Sequence, residues 1–94
     1  MENLTQISGR ITGRRQHPTL DDYEVVTIEL DRADAVPGKA DLLGQFRGTN
    51  LDVSVRKALL GDANLGARLQ CRAKRTFDGA MCEKDPRPGD FSIE

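Results

Sequence analysis

Residues 67–74 alternate without a break: Ala67, Leu69, Cys71 and Ala73 take turns with Arg68, Gln70, Arg72 and Lys74. Successive side chains of a β-strand point to opposite faces, so this segment carries one apolar face and one cationic face. Asp78-Gly79 follows between Phe77 and Ala80, and an Asp-Gly pair between two strand-like runs signals a hairpin. A two-residue turn at that pair sets Phe77 opposite Ala80 and Arg75 opposite Cys82. The apolar side of so long a strand must be covered, and the rest of the chain has to supply the cover.

The chain has 94 residues, enough for one small domain (1–94) of modest stability. Net charge is −1 although 31% of residues are charged, so global charge names no polyanionic partner. No apolar run is long enough to span a bilayer. The start, MENLTQISGR, lacks the apolar centre of a signal peptide, and a cytoplasmic protein without a membrane partner is expected. In the hairpin register just described, Cys71 and Cys82 lie four residues out of step, too far apart for a disulfide. Cys71 then reads as a small buried residue and Cys82 as a free thiol. With His17 the single histidine, no zinc ligand set is recognisable, and no cofactor is expected.

Residues 4–15 read as a first strand, with Ile7, Gly9, Ile11 and Gly13 on one face and Gln6, Ser8, Arg10, Thr12 and Arg14 on the other. Glycines inside a strand mark bends or close backbone approach, as at the corner of a small barrel. A polar loop (16–22) leads to a second strand, 23–32, with Val26, Ile28 and Leu30 pointing one way. Residues 40–47 read as a short strand or an ordered loop limb. Leu51, Val53 and Val55 alternate as a third strand up to Arg56, followed by one helical turn over Lys57–Leu60. A helix from Asn50 is the competing reading, because Leu51, Val55 and Leu59 are also helically spaced. Pro86, Pro88 and Gly89 interrupt the chain before a terminal strand at 90–94. Five or six short strands with one short helix between the third and fourth bury an apolar face only by curling into a barrel. The expected class is therefore all-β.

This order resembles an OB-fold. The resemblance rests on the Ile7-Ser8-Gly9-Arg10-Ile11 start, the strand entering a short helix at 51–60, and the Gly-led strand and hairpin from Leu65-Gly66 to Glu83. Within that class the chain is similar to single-stranded DNA-binding and primosomal replication proteins, over roughly residues 4–84. It lacks the aromatics those families place on their second and third strands. The second half, Gly66 to Lys74, also resembles small anion- or cofactor-sensing barrels attached to transporters.

Charge is segregated along the chain. Arg10, Arg14 and Arg15 lie in an acid-free stretch, as do Arg68, Arg72, Lys74 and Arg75. Asp21, Asp22, Glu24, Glu29, Asp31 and Asp34 crowd the second strand and its loop. First and fourth strands are neighbours in an OB-type barrel, which would set Arg10 and Arg14 beside Arg68 and Arg72. A continuous basic stripe tracks a phosphate backbone. The candidate nucleic-acid-binding residues are Arg10, Arg14, Arg15, Arg47, Arg68, Arg72, Lys74 and Arg75, with Phe46 and Phe77 at the rim alongside Tyr23. Alternatively, Arg10 and Arg14 pair across the ladder with Glu29 and Asp31, and the stripe is only a solvated face.

His17 stands in a loop without a nucleophile motif, Asp21-Asp22 in a polar loop, and no glycine-rich phosphate loop precedes a helix, so no enzyme is expected. Two functions stay open, ahead of a small-molecule or oxyanion-binding barrel as a third. One is a module binding single-stranded DNA or RNA through the basic face. The other is a protein-interaction or assembly module of the same fold, pairing with a protein partner or a second copy through exposed strand edges.

Overall fold

A computed structural model describes residues 2–94. Strands β1 (Thr5–Gln16), β2 (Tyr23–Ala35), β3 (Asn50–Arg56), β4 (Arg68–Thr76) and β5 (Gly79–Cys82) form one sheet in the order β1-β2-β3-β5-β4. Pairing of β1 with β4 closes it into a barrel. Helix α1 (Lys57–Leu60) joins β3 to β4, and β6 (Ser92–Ile93) adds to β4 beyond the end of β5. The fold is the expected small all-β, OB-like barrel with one short helix between the third and fourth strands.

The core follows the alternation. Ile7, Ile11, Val26, Ile28, Leu30, Val53, Val55, Leu69, Cys71 and Ala73 fill the interior, and Leu60 of α1 closes one mouth. β1 serves both halves of the barrel, pairing with β2 along its length and with β4 over Thr5–Arg10. It must bend sharply to do so, and Gly9 sits at the bend. A Cβ there would collide with the Glu29 carbonyl. Gly13 lacks that constraint: a methyl group would meet only the Thr27 side chain at 3.9 Å.

Two irregularities correct the residue-by-residue expectation. The β1–β2 register slips between Ser8 and Gly9, leaving Asp31 unpaired, and again between Ile11 and Gly13, leaving Thr12 unpaired. A one-residue bulge switches every later side chain to the other face. Arg14 therefore shares a face with Val26, its partner across the ladder, and not with Arg10.

The hairpin also turns one residue earlier than Asp-Gly implies. Thr76 pairs with Gly79, Arg75 with Ala80 and Ala73 with Cys82, so Phe77-Asp78 is the turn. Gly79 belongs to β5 because the strand runs tight against β3 there: its φ is +154°, and a Cβ would collide with the Asp52 carbonyl. The shift makes Cys71 and Cys82 diagonal neighbours inside the barrel rather than residues four out of step. Both are free. The adjacent Cys82 thiol and burial together push the Cys71 thiol well above its ordinary range.

Residues 40–47 form no strand. Ala40 makes an isolated bridge to Asn3, and Gly44–Phe46 is a single 3-10 turn. Asp41 organises this segment: Oδ1 accepts the Leu43 and Gly44 N–H groups at 3.2 and 2.9 Å and the Thr5 hydroxyl at 2.9 Å. These bonds, the Gly44 one foremost, hold the Asp41 carboxyl below its usual range. Leu43 is thereby driven into the core, and Phe46 packs against it.

Candidate nucleic-acid interface

The geometry breaks the expected basic stripe. Arg10 and Arg68 do stand opposite each other on β1 and β4. Arg68, however, forks onto Asp31 with bonds of 2.8 and 2.7 Å and also donates to Ser8 Oγ at 3.0 Å. That hydrogen-bonded pairing holds the Asp31 carboxyl below its usual value. Arg72 donates to Gln6 Oε1 at 3.3 Å and lies 3.6 Å from Asp90. Arg15 reaches Asp52 at 3.2 Å. The acid partners are thus Asp31, Asp52 and Asp90, reached by Arg68, Arg15 and Arg72.

Arg14 leaves this surface entirely. The Thr12 bulge turns it toward the mouth closed by Leu60, where its guanidinium forks onto Glu24 at 3.0 and 2.8 Å. It also donates to the Ala63 carbonyl at 2.6 Å and to the Gly61 carbonyl at 3.3 Å. The hydrogen bond from Arg14 holds the Glu24 carboxyl below its usual range, and Glu24 in turn raises Arg14. Arg14 is a structural plug that ties β1 to β2 and to the chain after α1.

A different cluster forms at the opposite mouth. Arg75 continues the inward row of Leu69, Cys71 and Ala73, but at the last turn of the barrel it emerges over the rim. Its guanidinium lies over the Phe46 ring, 5.1 Å from the centroid, within cation–π range. Its backbone N–H donates to Asn3 Oδ1 at 2.5 Å. Beside it, the Phe77 ring at the hairpin tip is fully exposed. Phe46, Arg75 and Phe77 line a groove of about 480 Å³ with Asn50, Asp52 and Asp78. Lys74 and Arg47 are exposed nearby in the chain, and neither they, Arg75 nor Arg10 makes an ion pair among the described residues.

The groove continues across the outer face of β2, β3 and β5. A second depression of about 330 Å³ shares Asp52 and Asp78 with it and ends at Arg15, His17 and Pro18. Asp52 Oδ1 accepts the Thr27 hydroxyl at 2.6 Å, which fixes the carboxylate against the sheet. His17 Nδ1 accepts the Thr19 and Leu20 N–H groups at 3.1 and 3.0 Å and so orders its own loop. Tyr23 is buried and meets the His17 ring edge-on. Among the described residues no group of three or more His, Cys, Asp or Glu side chains is placed to hold a metal ion.

Of the ten candidate residues, Phe46, Arg75 and Phe77 come together, Arg10 and Arg68 face each other, and Arg14 is removed to the far mouth. Asp52 and Asp78 were not among the candidates. Asp52 does alternate outward on β3, but Asp78 reads in the sequence only as a turn former. Among the described residues no helix is long and apolar enough to cross a membrane. No family model matches the chain, and neither a curated protein nor a solved structure matches it.

Proposed function

We propose that this barrel is a non-enzymatic module that binds single-stranded nucleic acid at the mouth bearing the β4–β5 hairpin. The observation that carries the proposal is the Phe77 ring, fully exposed at the hairpin tip beside an arginine that already stacks on Phe46. Stacking of a base on such a ring gains ~1–3 kcal/mol regardless of sequence. Arg75, Lys74 and Arg47 supply the cations for the flanking phosphates. Arg68, Arg72 and Arg15 are engaged by Asp31, Asp90 and Asp52 and contribute little. A nucleic-acid ligand accords with a cytoplasmic location.

Salt dependence distinguishes this site from the whole basic stripe. Each neutralised phosphate of a single strand adds about −0.7 to the slope of log affinity against log salt. Contact with about two or three phosphates predicts roughly a tenfold loss for a fourfold rise in salt, whereas a five-cation stripe predicts a loss of roughly a hundredfold. Titration of a labelled single-stranded oligonucleotide at low and moderate salt measures this. No binding at low salt, or binding indifferent to salt, rejects the proposal.

The same exposed Phe77 also fits the second reading, an aromatic anchor for a protein partner. Light scattering on the isolated chain and partner capture with and without Phe77→Ala separate the two: a strict monomer that captures nothing rejects the protein-partner reading.

A further inference from the structure

Resting on the nucleic-acid reading above, we infer that the groove selects guanine over the other bases, and that Asp78 is the residue that reads it. Phe77 and Asp78 are the two residues of the hairpin turn, so the carboxylate stands beside the exposed ring that would carry a base. Asp78 is nearly unengaged: Oδ1 accepts the Thr76 hydroxyl at 3.3 Å, and Oδ2 has no hydrogen-bond partner among the described residues. Asp52, the other acid of the groove, is occupied on both oxygens, by Thr27 at 2.6 Å and Arg15 at 3.2 Å.

Asp78 is the unengaged acid of the groove, Asp52 being held by Thr27 and Arg15, and Arg75 lines the same groove. A phosphate is drawn toward Arg75 and away from Asp78, so a base edge turns to Asp78. Among base edges, guanine alone offers two adjacent donors, N1–H and the 2-amino group, which match the two oxygens of one carboxylate. Cytosine and adenine offer one amino donor beside a ring nitrogen that repels the second oxygen. Thymine and uracil offer one N–H between two carbonyls. A bidentate, charge-assisted pair of this kind discriminates between bases by about tenfold or more.

The test uses oligothymidylate of about twelve nucleotides, within the site size of one small barrel, with its central base replaced by guanine, adenine, cytosine or hypoxanthine. Fluorescence competition against the full chain should rank the guanine oligonucleotide about tenfold above unsubstituted oligothymidylate. Hypoxanthine lacks the 2-amino group and should lose most of that gain, a comparison that needs no variant protein. Asp78→Asn should bring the ratio of guanine to oligothymidylate affinity to about one, whatever change in affinity the lost charge gives both, with thermal melting as the check that the fold is intact. Equal affinities for all five oligonucleotides, or a guanine preference that survives Asp78→Asn, overturn the inference while leaving nucleic-acid binding standing. Failure of every oligonucleotide to bind overturns the reading beneath it.

Discussion

Replacing Arg14 by alanine removes in one step the guanidinium that holds Glu24 and the carbonyls of Gly61 and Ala63. The two side chains are only 21% and 19% exposed, so water replaces few of the lost contacts. A hydrogen bond to a charged group contributes ~1.5–3 kcal/mol, and several are lost together, partly offset by water reaching the opened mouth. We expect a net cost of about 2–3 kcal/mol, which for a domain of this size lowers Tm by roughly 10–20 °C. Arg10, four residues earlier on the same strand, makes no ion pair among the described residues, and Arg10→Ala should change stability by less than ~0.5 kcal/mol. The contrast also depends on pH. Arg14 lowers the Glu24 carboxyl from its ordinary value of 4.5, so the pair stabilises the fold fully above that value and loses its effect as pH falls through the lower folded one. Thermal melting followed by circular dichroism should therefore show Arg14→Ala far below wild type near neutral pH, with the gap narrowing in acid to what the Gly61 and Ala63 carbonyl bonds contribute. Equal small losses for Arg10→Ala and Arg14→Ala would refute the reasoning, because they would mean that the Thr12 bulge does not turn Arg14 into the barrel mouth.

Further outcomes follow from the same geometry. Gly9→Ala should cost about 2 kcal/mol or more in urea unfolding, since its Cβ meets the Glu29 carbonyl, while Gly13→Ala should be close to neutral. Cys71 and Cys82 are buried in the core, and the Cys71 thiol is pushed upward, so neither should react with a thiol reagent at about pH 8 until guanidinium unfolds the chain. Rapid labelling of Cys71 in the native protein would contradict that placement. Phe77→Ala should leave the melting temperature within about 2 °C of wild type, because the ring is fully exposed, yet weaken oligonucleotide binding by roughly tenfold.

The parts of the fold readable from the chain are those fixed by local pattern. β-Branched Val53 and Val55 place β3, and the helical turn at Lys57–Leu60 lies where Arg56 ends the alternation. The inward row Leu69, Cys71 and Ala73 is plain because its neighbours Arg68, Gln70, Arg72 and Lys74 are charged or polar. Bulges are different. Thr12 and Asp31 are ordinary polar residues in an alternating strand, and nothing in their type reveals that each drops out of register. Only closure of β1 onto both β2 and β4 imposes the slip, and with it the fate of Arg14. The hairpin departs from its local pattern for a similar reason. Asp-Gly favours a turn at 78–79, but contact of Gly79 with the Asp52 carbonyl on β3, a residue far away in the chain, draws the glycine into β5. Phe77 is thereby expelled to the tip, and the candidate site moves from a strand face to a barrel mouth.

That relocation is most directly tested by mapping backbone amide chemical shifts while a single-stranded oligonucleotide is titrated into the labelled chain. Shifts concentrated at Phe46, Asn50, Arg75, Phe77 and Asp78, with Arg68 and Arg72 unmoved, are the predicted result. Shifts confined to the Arg10–Arg68–Arg72 face, or none at any residue, would contradict it.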